Sequence, residues 1–247
     1  IKNKRLLVCL SGGMDSIYLY HQLNFLSLKN NFQIGIAHVN YNTSSNSLKS
    51  MELCKKLAKN NNNPLYIRKV KLDPYNFEHN AREIRYSFFN SIKEVEKYDF
   101  ILTAHHRDDL IETLYMQNSS SDDYSCIPLN QENNGILRPL IEVSKQDIEN
   151  DVKIHNWSYF DDPSNQDTKY RRNKVRHEIL PSLEDKARVI DSMLSCYQEK
   201  LSKYNKFREY FSSVKSAMIT RSKNEIQFSR EYLKKIDVYA LKLIIQG

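Results

Sequence analysis

The chain has 247 residues, a formal net charge of +7 and 40% hydrophobic residues, enough for one large domain or for a medium domain with a small companion. It holds no apolar run approaching the roughly 18 residues of a membrane span, and no signal-peptide pattern at Ile1-Lys2-Asn3-Lys4-Arg5, so a cytoplasmic protein without a membrane partner is expected. Cys9, Cys54, Cys126 and Cys196 are scattered without a Cys-x-x-Cys pair, which argues against a zinc ribbon, an iron–sulfur site and a disulfide scaffold.

The first predicted strand, Arg5–Leu10, runs into Ser11-Gly12-Gly13-Met14-Asp15-Ser16. Two glycines let backbone N–H groups converge on an anion, the hydroxyls of Ser11 and Ser16 add donors, and a following helix offers its positive end. The stretch reads as a phosphate-binding loop, with ATP as the first substrate to consider. It is not a Walker A loop, because Asp15 stands where that loop places its lysine. A carboxylate beside phosphate needs a cation between them, which implies Mg²⁺. The plainer alternative is a strand-to-helix turn with an N-cap.

The next elements alternate: helix Ile17–Leu28, strand Gln33–Val39, helix Leu48–Lys59, a polar turn at Asn60 to Asn63, strand Leu65–Lys71, helix Arg82–Lys97 and strand Phe100–Ala104. This βαβ rhythm predicts an α/β domain, a Rossmann-like parallel sheet with helices on both faces. Near Pro181 the pattern changes to a long amphipathic helix from Leu183, with Val189, Met193, Tyr197, Leu201, Tyr204, Phe207, Phe211 and Val214 at helical spacing. That stripe is expected to be core rather than a base-stacking surface. A short strand, Asn224–Ser229, and a helix from Glu231 complete a small helical domain over 182–247, after a first domain over 1–181. The chain starts at Ile1 and stops within an apolar stretch, so a longer parent is expected.

In an open parallel sheet, ligands bind beyond the carboxyl ends of the strands. After Phe100–Ala104 comes His105-His106-Arg107-Asp108-Asp109-Leu110-Ile111-Glu112. A helix starting there would put His105, Asp109 and Glu112 on one face. The carboxylates suit Mg²⁺ on phosphates better than zinc, although capping of the helix N-terminus would also use Asp108 and Asp109. Arg82 and Arg85 fall on adjacent turns, either as phosphate ligands or as solvated ion pairs. Arg171, Arg172, Lys174 and Arg176 crowd six positions behind the turn Asp161-Asp162-Pro163-Ser164-Asn165. They form a phosphate-contact patch, with Tyr170 able to stack on a base, or a charged surface turn.

Together these residues resemble a known family. The Ser-Gly-Gly-x-Asp-Ser loop looks like that of the N-type ATP pyrophosphatases. Ala37-His38-Val39-Asn40, Asn80-Ala81-Arg82-Glu83-Ile84-Arg85-Tyr86, the His-His-x-Asp-Asp-x-x-Glu segment, Leu137-Arg138-Pro139-Leu140 and Arg172-Asn173-x-x-Arg176 resemble tRNA(Ile)-lysidine synthetase over roughly Lys4 to Pro181. The resemblance implies adenylation by ATP of the C2 oxygen of the wobble cytidine in isoleucine tRNA, then displacement of AMP by free L-lysine. It assigns Ser11, Gly12, Gly13, Met14, Asp15 and Ser16 to the phosphates, Ala37 and His38 to adenosine, and Asp15 and Asp109 to Mg²⁺ or nucleotide alignment. Glu112 would meet the lysine ammonium. His105, His106, Arg82, Arg172 and Arg176 would contact phosphates or cytidine, and Arg138, Arg171 and Asn173 the tRNA.

Two segments depart from the family. Gln117 to Asp123 stands where members often carry an Arg-Gly-x-Gly segment, and Tyr41-Asn42-Thr43-Ser44 replaces a His, Gly and Leu-Arg pattern. Nothing over 182–247 matches residue by residue, and longer members continue into a further tRNA-binding domain. The alternatives are a tRNA thiolase of the same superfamily, which commonly uses paired cysteines, and a non-catalytic RNA-binding relative. Homodimer formation is left open.

Overall fold

The computed structural model describes residues 2–42, 45–72, 77–117, 135–161, 166–221, 226–228 and 231. Five parallel strands form one sheet in the order β3-β2-β1-β4-β5. They are β1 (Arg5–Cys9), β2 (Gln33–Asn40), β3 (Leu65–Lys69), β4 (Phe100–Leu102) and β5 (Ile136–Leu137). Helices α1 (Met14–Asn30), α2 (Ser45–Asn60), α3 (Phe77–Val95), α4 (Arg107–Gln117) and α5 (Lys145–Ile154) accompany the strands. The predicted Rossmann-like α/β architecture is the one observed.

Strand β1 lies at the centre because its side chains are apolar on both faces: Leu6, Leu7 and Val8 are fully buried. Leu6, Val8 and Leu10 pack on one side with Ile34, Ile36, Cys54 and Ala58, together with Ile17 of α1 and Ile148 of α5. Leu7 faces the other side with Ala37, Ile101, Phe89 and Ile92 of α3. Alternation along the strands therefore divides the core into two layers. The chain builds outward from β1 through β2 to β3, then returns to pair β4 on the other flank of β1. That reversal makes a crevice above β1 and β4, where α/β sheets hold ligands.

Helix α1 begins three residues before the sequence pattern suggests, since Gly13 in extended conformation (φ −77°, ψ 160°) serves as its N-cap. The loop thus flows straight into the first turn. Strand β5 escaped the sequence reading because two residues carry no periodicity.

Beyond α5 the chain forms α6 (Arg171–Lys174), a π-helical turn over Val175–Ile179, α7 (Leu180–Ser182) and the long α8 (Lys186–Met218). Two compact units divide at Ile190 and Asp191. The second contains most of α8 and an antiparallel pair, β6 (Ile219–Arg221) with β7 (Ile226–Phe228). Strand β7 falls within the expected strand Asn224–Ser229, and the sequence pattern predicts no element at its partner β6. Met193 and Tyr197 of the predicted apolar stripe are buried. The side chains of Phe207, Phe211 and Val214, the turn Asp162 to Asn165, Cys126, the segment 118–123 and all but the first residue of the helix expected from Glu231 lie outside the described residues.

Gly35 in β2 has no room for a side chain, because a Cβ there would stand 1.9 Å from the Oη of buried Tyr98. Gly35→Ala is expected to destabilise the protein by about 1–3 kcal/mol through overpacking. Urea unfolding checks this, and an unchanged transition would refute it.

Candidate active site

A cavity of about 360 Å³ opens at the carboxyl ends of β1, β2 and β4, a volume ordinary for a small-molecule site. Its floor is the loop. Gly12 takes φ +90°, and a Cβ there would come within 2.6 Å of Ser50 Cβ on α2, so only glycine fits this turn against that helix. Gly12 N–H donates to Ser16 Oγ at 3.2 Å and Gly13 N–H to Ser11 Oγ at 3.2 Å, while Ser16 Oγ donates to the Gly13 carbonyl at 2.8 Å. The serines hold the loop's shape. No side chain caps α1, which leaves its first turn able to bind an anion.

One wall comes from α3 and the ends of β1 and β2: Arg82, Arg85 and Tyr86 join Ala37, Val39 and Tyr41. The Arg82 guanidinium lies 4.8 Å from the centre of the Tyr86 ring, a cation–π distance. Strand alternation turns Ala37 and Val39 to this wall and His38 away from it. His38 is 2% exposed and sits on the α2 side, where its Nδ1–H donates to the Leu10 carbonyl at 2.8 Å. The side chain therefore does not line the cavity, contrary to the expected contact with adenosine.

The opposite wall follows β4. His105 hydrogen-bonds Thr103 Oγ1 through Nδ1 at 2.9 Å, and burial pushes its pKa down to about 4, so the ring is neutral near pH 7. His106 is buried, and its Nε2 stands 3.7 Å from Asp15 Oδ2 and 3.5 Å from Asp109 Oδ2. Burial opposes a charge there, but the carboxylates of Asp108, Asp109 and Asp15 outweigh it and raise the His106 pKa. Asp109 Oδ2 also accepts the His106 N–H at 3.0 Å, the acidic half of a capping box. Capping and site formation are therefore the same contact here. Although burial would raise it, the pKa of Asp109 is held low by His106, Arg172 and His105.

Glu112, 1% exposed, is bracketed by two guanidiniums: Arg172 Nε donates at 2.8 Å and Arg176 Nε at 2.6 Å. Both arginines also reach Asp109 Oδ1 at 3.3 Å. Arg176 belongs to the π-helical turn, a local widening frequent at functional sites. The basic patch thus splits. Arg172 and Arg176 turn inward, while Arg171, Lys174 and His177 remain exposed. Asn173 donates to the Asp167 carbonyl at 2.9 Å and so secures the preceding turn. Arg138 is buried rather than offered to a polyanion at the surface, and its charge helps lower the His105 pKa.

Lys145 is the residue that sequence reasoning missed. Its Nζ donates to Asp15 Oδ1 at 2.6 Å, and its backbone N–H to Asp108 Oδ2 at 2.8 Å. It opens α5 behind Ser144, whose Oγ accepts the Asp147 N–H. The Ser-x-x-Asp cap was visible in the sequence, but a site 130 residues from Asp15 was not.

Residues 1–183 match the family described as the PP-loop domain, ATP_bind_3. The chain belongs to this PP-loop family. It is 34% identical over 189 residues to the tRNA(Ile)-lysidine synthase of Nostoc sp., covering 74% of this chain and 55% of that protein. A namesake from Mesoplasma florum is 32% identical over 208 residues, covering 81% and 49%. The PP-loop chain thus spans about half the length of these relatives. Its fold is shared with the U34-tRNA thiolase NcsA from Methanococcus maripaludis, at a TM-score of 0.62 and 16% identity over 81% of this chain and 72% of that one.

Two outcomes are expected from this geometry. Removing both guanidiniums, in Arg172→Ala with Arg176→Ala, leaves a buried carboxylate unpaired and should lower the unfolding free energy by about 3–5 kcal/mol; a native-like urea transition would contradict it. A pKa raised by folding stabilises the native state fully below the unfolded value, and the gain disappears as pH rises through the folded value. The stability gap between wild type and His106→Gln is therefore expected to be largest below pH 6.5 and to shrink above it. Denaturation across a pH series measures the gap, and widening with pH would count against the assignment.

Proposed function

We propose that this chain carries the catalytic part of a tRNA(Ile)-lysidine synthetase, using ATP to activate the wobble cytidine and L-lysine to displace AMP. One observation carries the reading: the loop, the carboxylates of Asp15 and Asp109, His105 and the Arg176 guanidinium that pairs with Glu112 line a single cavity. The relatives named for that activity support it. Thiolase chemistry through paired cysteines is less well served among the described residues, where Cys9 faces the α3 side of the sheet and Cys54 the α2 side.

The triphosphate lies along Ser11 to Ser16, with its charge met by loop amides and the start of α1. Mg²⁺ fits the donor set: Asp15 and Asp109 converge on His106, and this cation takes one or two carboxylates with phosphate oxygens rather than a full protein cage. Among the described residues no group of three His, Cys, Asp or Glu side chains could form such a cage. When bound, the ion would neutralise phosphate charge. Lys145 and Arg176, both lining the cavity, add fixed positive charge where pyrophosphate departs.

In the first step the C2 oxygen of cytidine forms a bond to the α-phosphorus and the bond to pyrophosphate breaks. In the second an amine of lysine bonds to C2, and the C2–O bond breaks with AMP as leaving group. The ammonium must first lose a proton. Neutral His105 lines the cavity and can accept it, since phosphate charge nearby raises its basicity. The Asp109 carboxylate, which lines the cavity, attracts the ammonium, whereas Glu112, expected to meet it, is engaged by Arg172 and Arg176. The exposed Arg171 and Lys174 contact the tRNA backbone. No helix among the described residues is long and apolar enough to cross a membrane, and we place the reaction in the cytoplasm, with tRNA and ATP.

Incubation with ATP, Mg²⁺, labelled lysine and isoleucine tRNA transcript tests this reading. Label is expected to enter the tRNA only when ATP is present. Asp15→Ala should reduce transfer to background while retaining the native circular dichroism spectrum; undiminished turnover would remove Asp15 from the chemistry.

A further inference from the structure

His38 is a buried side chain that the proposed reaction does not use directly. Its Nδ1 stands 2.8 Å from the Leu10 carbonyl oxygen, which can only accept, so the proton resides on Nδ1. Nε2 is buried and has no hydrogen-bond partner among the described residues. Burial lowers the imidazole pKa, so the ring is neutral and Nε2 is an unprotonated acceptor. Leu10 is the residue immediately before the loop. Its N–H donates to the Ala37 carbonyl at 2.9 Å, so two successive residues of β2 pin both backbone polar groups of Leu10. Cys54 of α2 donates a weak hydrogen bond to the same carbonyl through Sγ at 3.6 Å, and Ser50 of α2 backs Gly12.

We propose that His38 is a positioning residue for the phosphate loop, acting through its Nδ1–H on the Leu10 carbonyl rather than by contact with the nucleotide. The inference rests on the reading of Ser11 to Ser16 as the nucleotide loop. The β1–β2 ladder ends just where the loop must hold its amides for phosphate. There the imidazole supplies the last rung of that ladder. Without it the Leu10 carbonyl would keep only the weak thiol donor of Cys54, and the loop that starts at the next residue would lose the anchor that fixes its place beside the cavity.

The test uses two isosteric replacements. An asparagine amide nitrogen falls near the position of Nδ1 and a glutamine nitrogen near that of Nε2, so His38→Asn keeps the tether and His38→Gln does not. With the full chain, calorimetric titration of ATP with Mg²⁺ is expected to give His38→Asn within about twofold of wild type. For His38→Gln we expect about tenfold weaker binding, the worth of one buried hydrogen bond. Binding of tRNA without ATP should be unchanged in both. Equal ATP affinities for the two variants, whether both retained or both lost, would overturn the inference. If His38→Gln does not fold, ¹⁵N NMR of the wild-type imidazole decides: an Nδ1-protonated neutral ring between pH 6 and 8 supports the tether, and an Nε2-protonated ring overturns it. A wild-type protein that binds no ATP would instead defeat the reading of the loop itself.

Discussion

The charge of Glu112 is the constraint on which the site's architecture turns. A carboxylate sealed from water costs several kcal/mol unless its oxygens are met by donors of opposite charge. Here those donors come from Arg172 and Arg176, sixty and more residues away in sequence. The helical stretch that starts at Arg171 docks beside α4 through the buried side chains of Val175 and Leu180 and through the carboxylates of Glu112 and Asp109. The same contacts that complete the fold bring a guanidinium to the cavity wall.

A second consequence is electrostatic. Asp15, Asp108, Asp109 and Glu112 would repel a triphosphate if they stood alone, yet each is engaged by Lys145, His106, Arg172 or Arg176. The acidic groups hold cations at fixed places, and these become available to phosphate oxygens without a large reorganisation. His105 stays uncharged amid this array because it is buried and faces arginines as well as Asp109. A neutral imidazole beside a positively lined pocket is suited to accept a proton once anionic substrate arrives.

The sequence disclosed the elements with strong local signatures. Strand β1 announced itself by an unbroken apolar run, and the loop by two glycines at the strand's end, since both are local consequences of burial and backbone freedom. Asp109 and Glu112 were legible as one face of a helix. Orientation was less legible. His38 and Ala37 are neighbours in one motif, but the period of two sends their side chains to opposite faces, and only the sheet shows which face holds the cavity. The cluster at 171–176 read as a uniform basic patch because spacing alone does not tell which arginines face a buried acid.

Asp15 shows how a residue that looks wrong for its place can be set right by tertiary structure. A negative charge in the first turn of α1 complements the helix dipole, but it also occupies the end of the helix that phosphate needs. Lys145 resolves the conflict from the start of another helix, with its ammonium on Asp15 and its backbone N–H on Asp108. Helix α5 packs on α1 through the same core layer that contains Ile17 and Ile148, so apolar burial, not the ion pair, fixes where that ammonium stands. The pair itself is about one-third exposed and adds little to stability. Its value lies in holding a cation beside the loop, placed there by a core that forms whether or not a nucleotide is present.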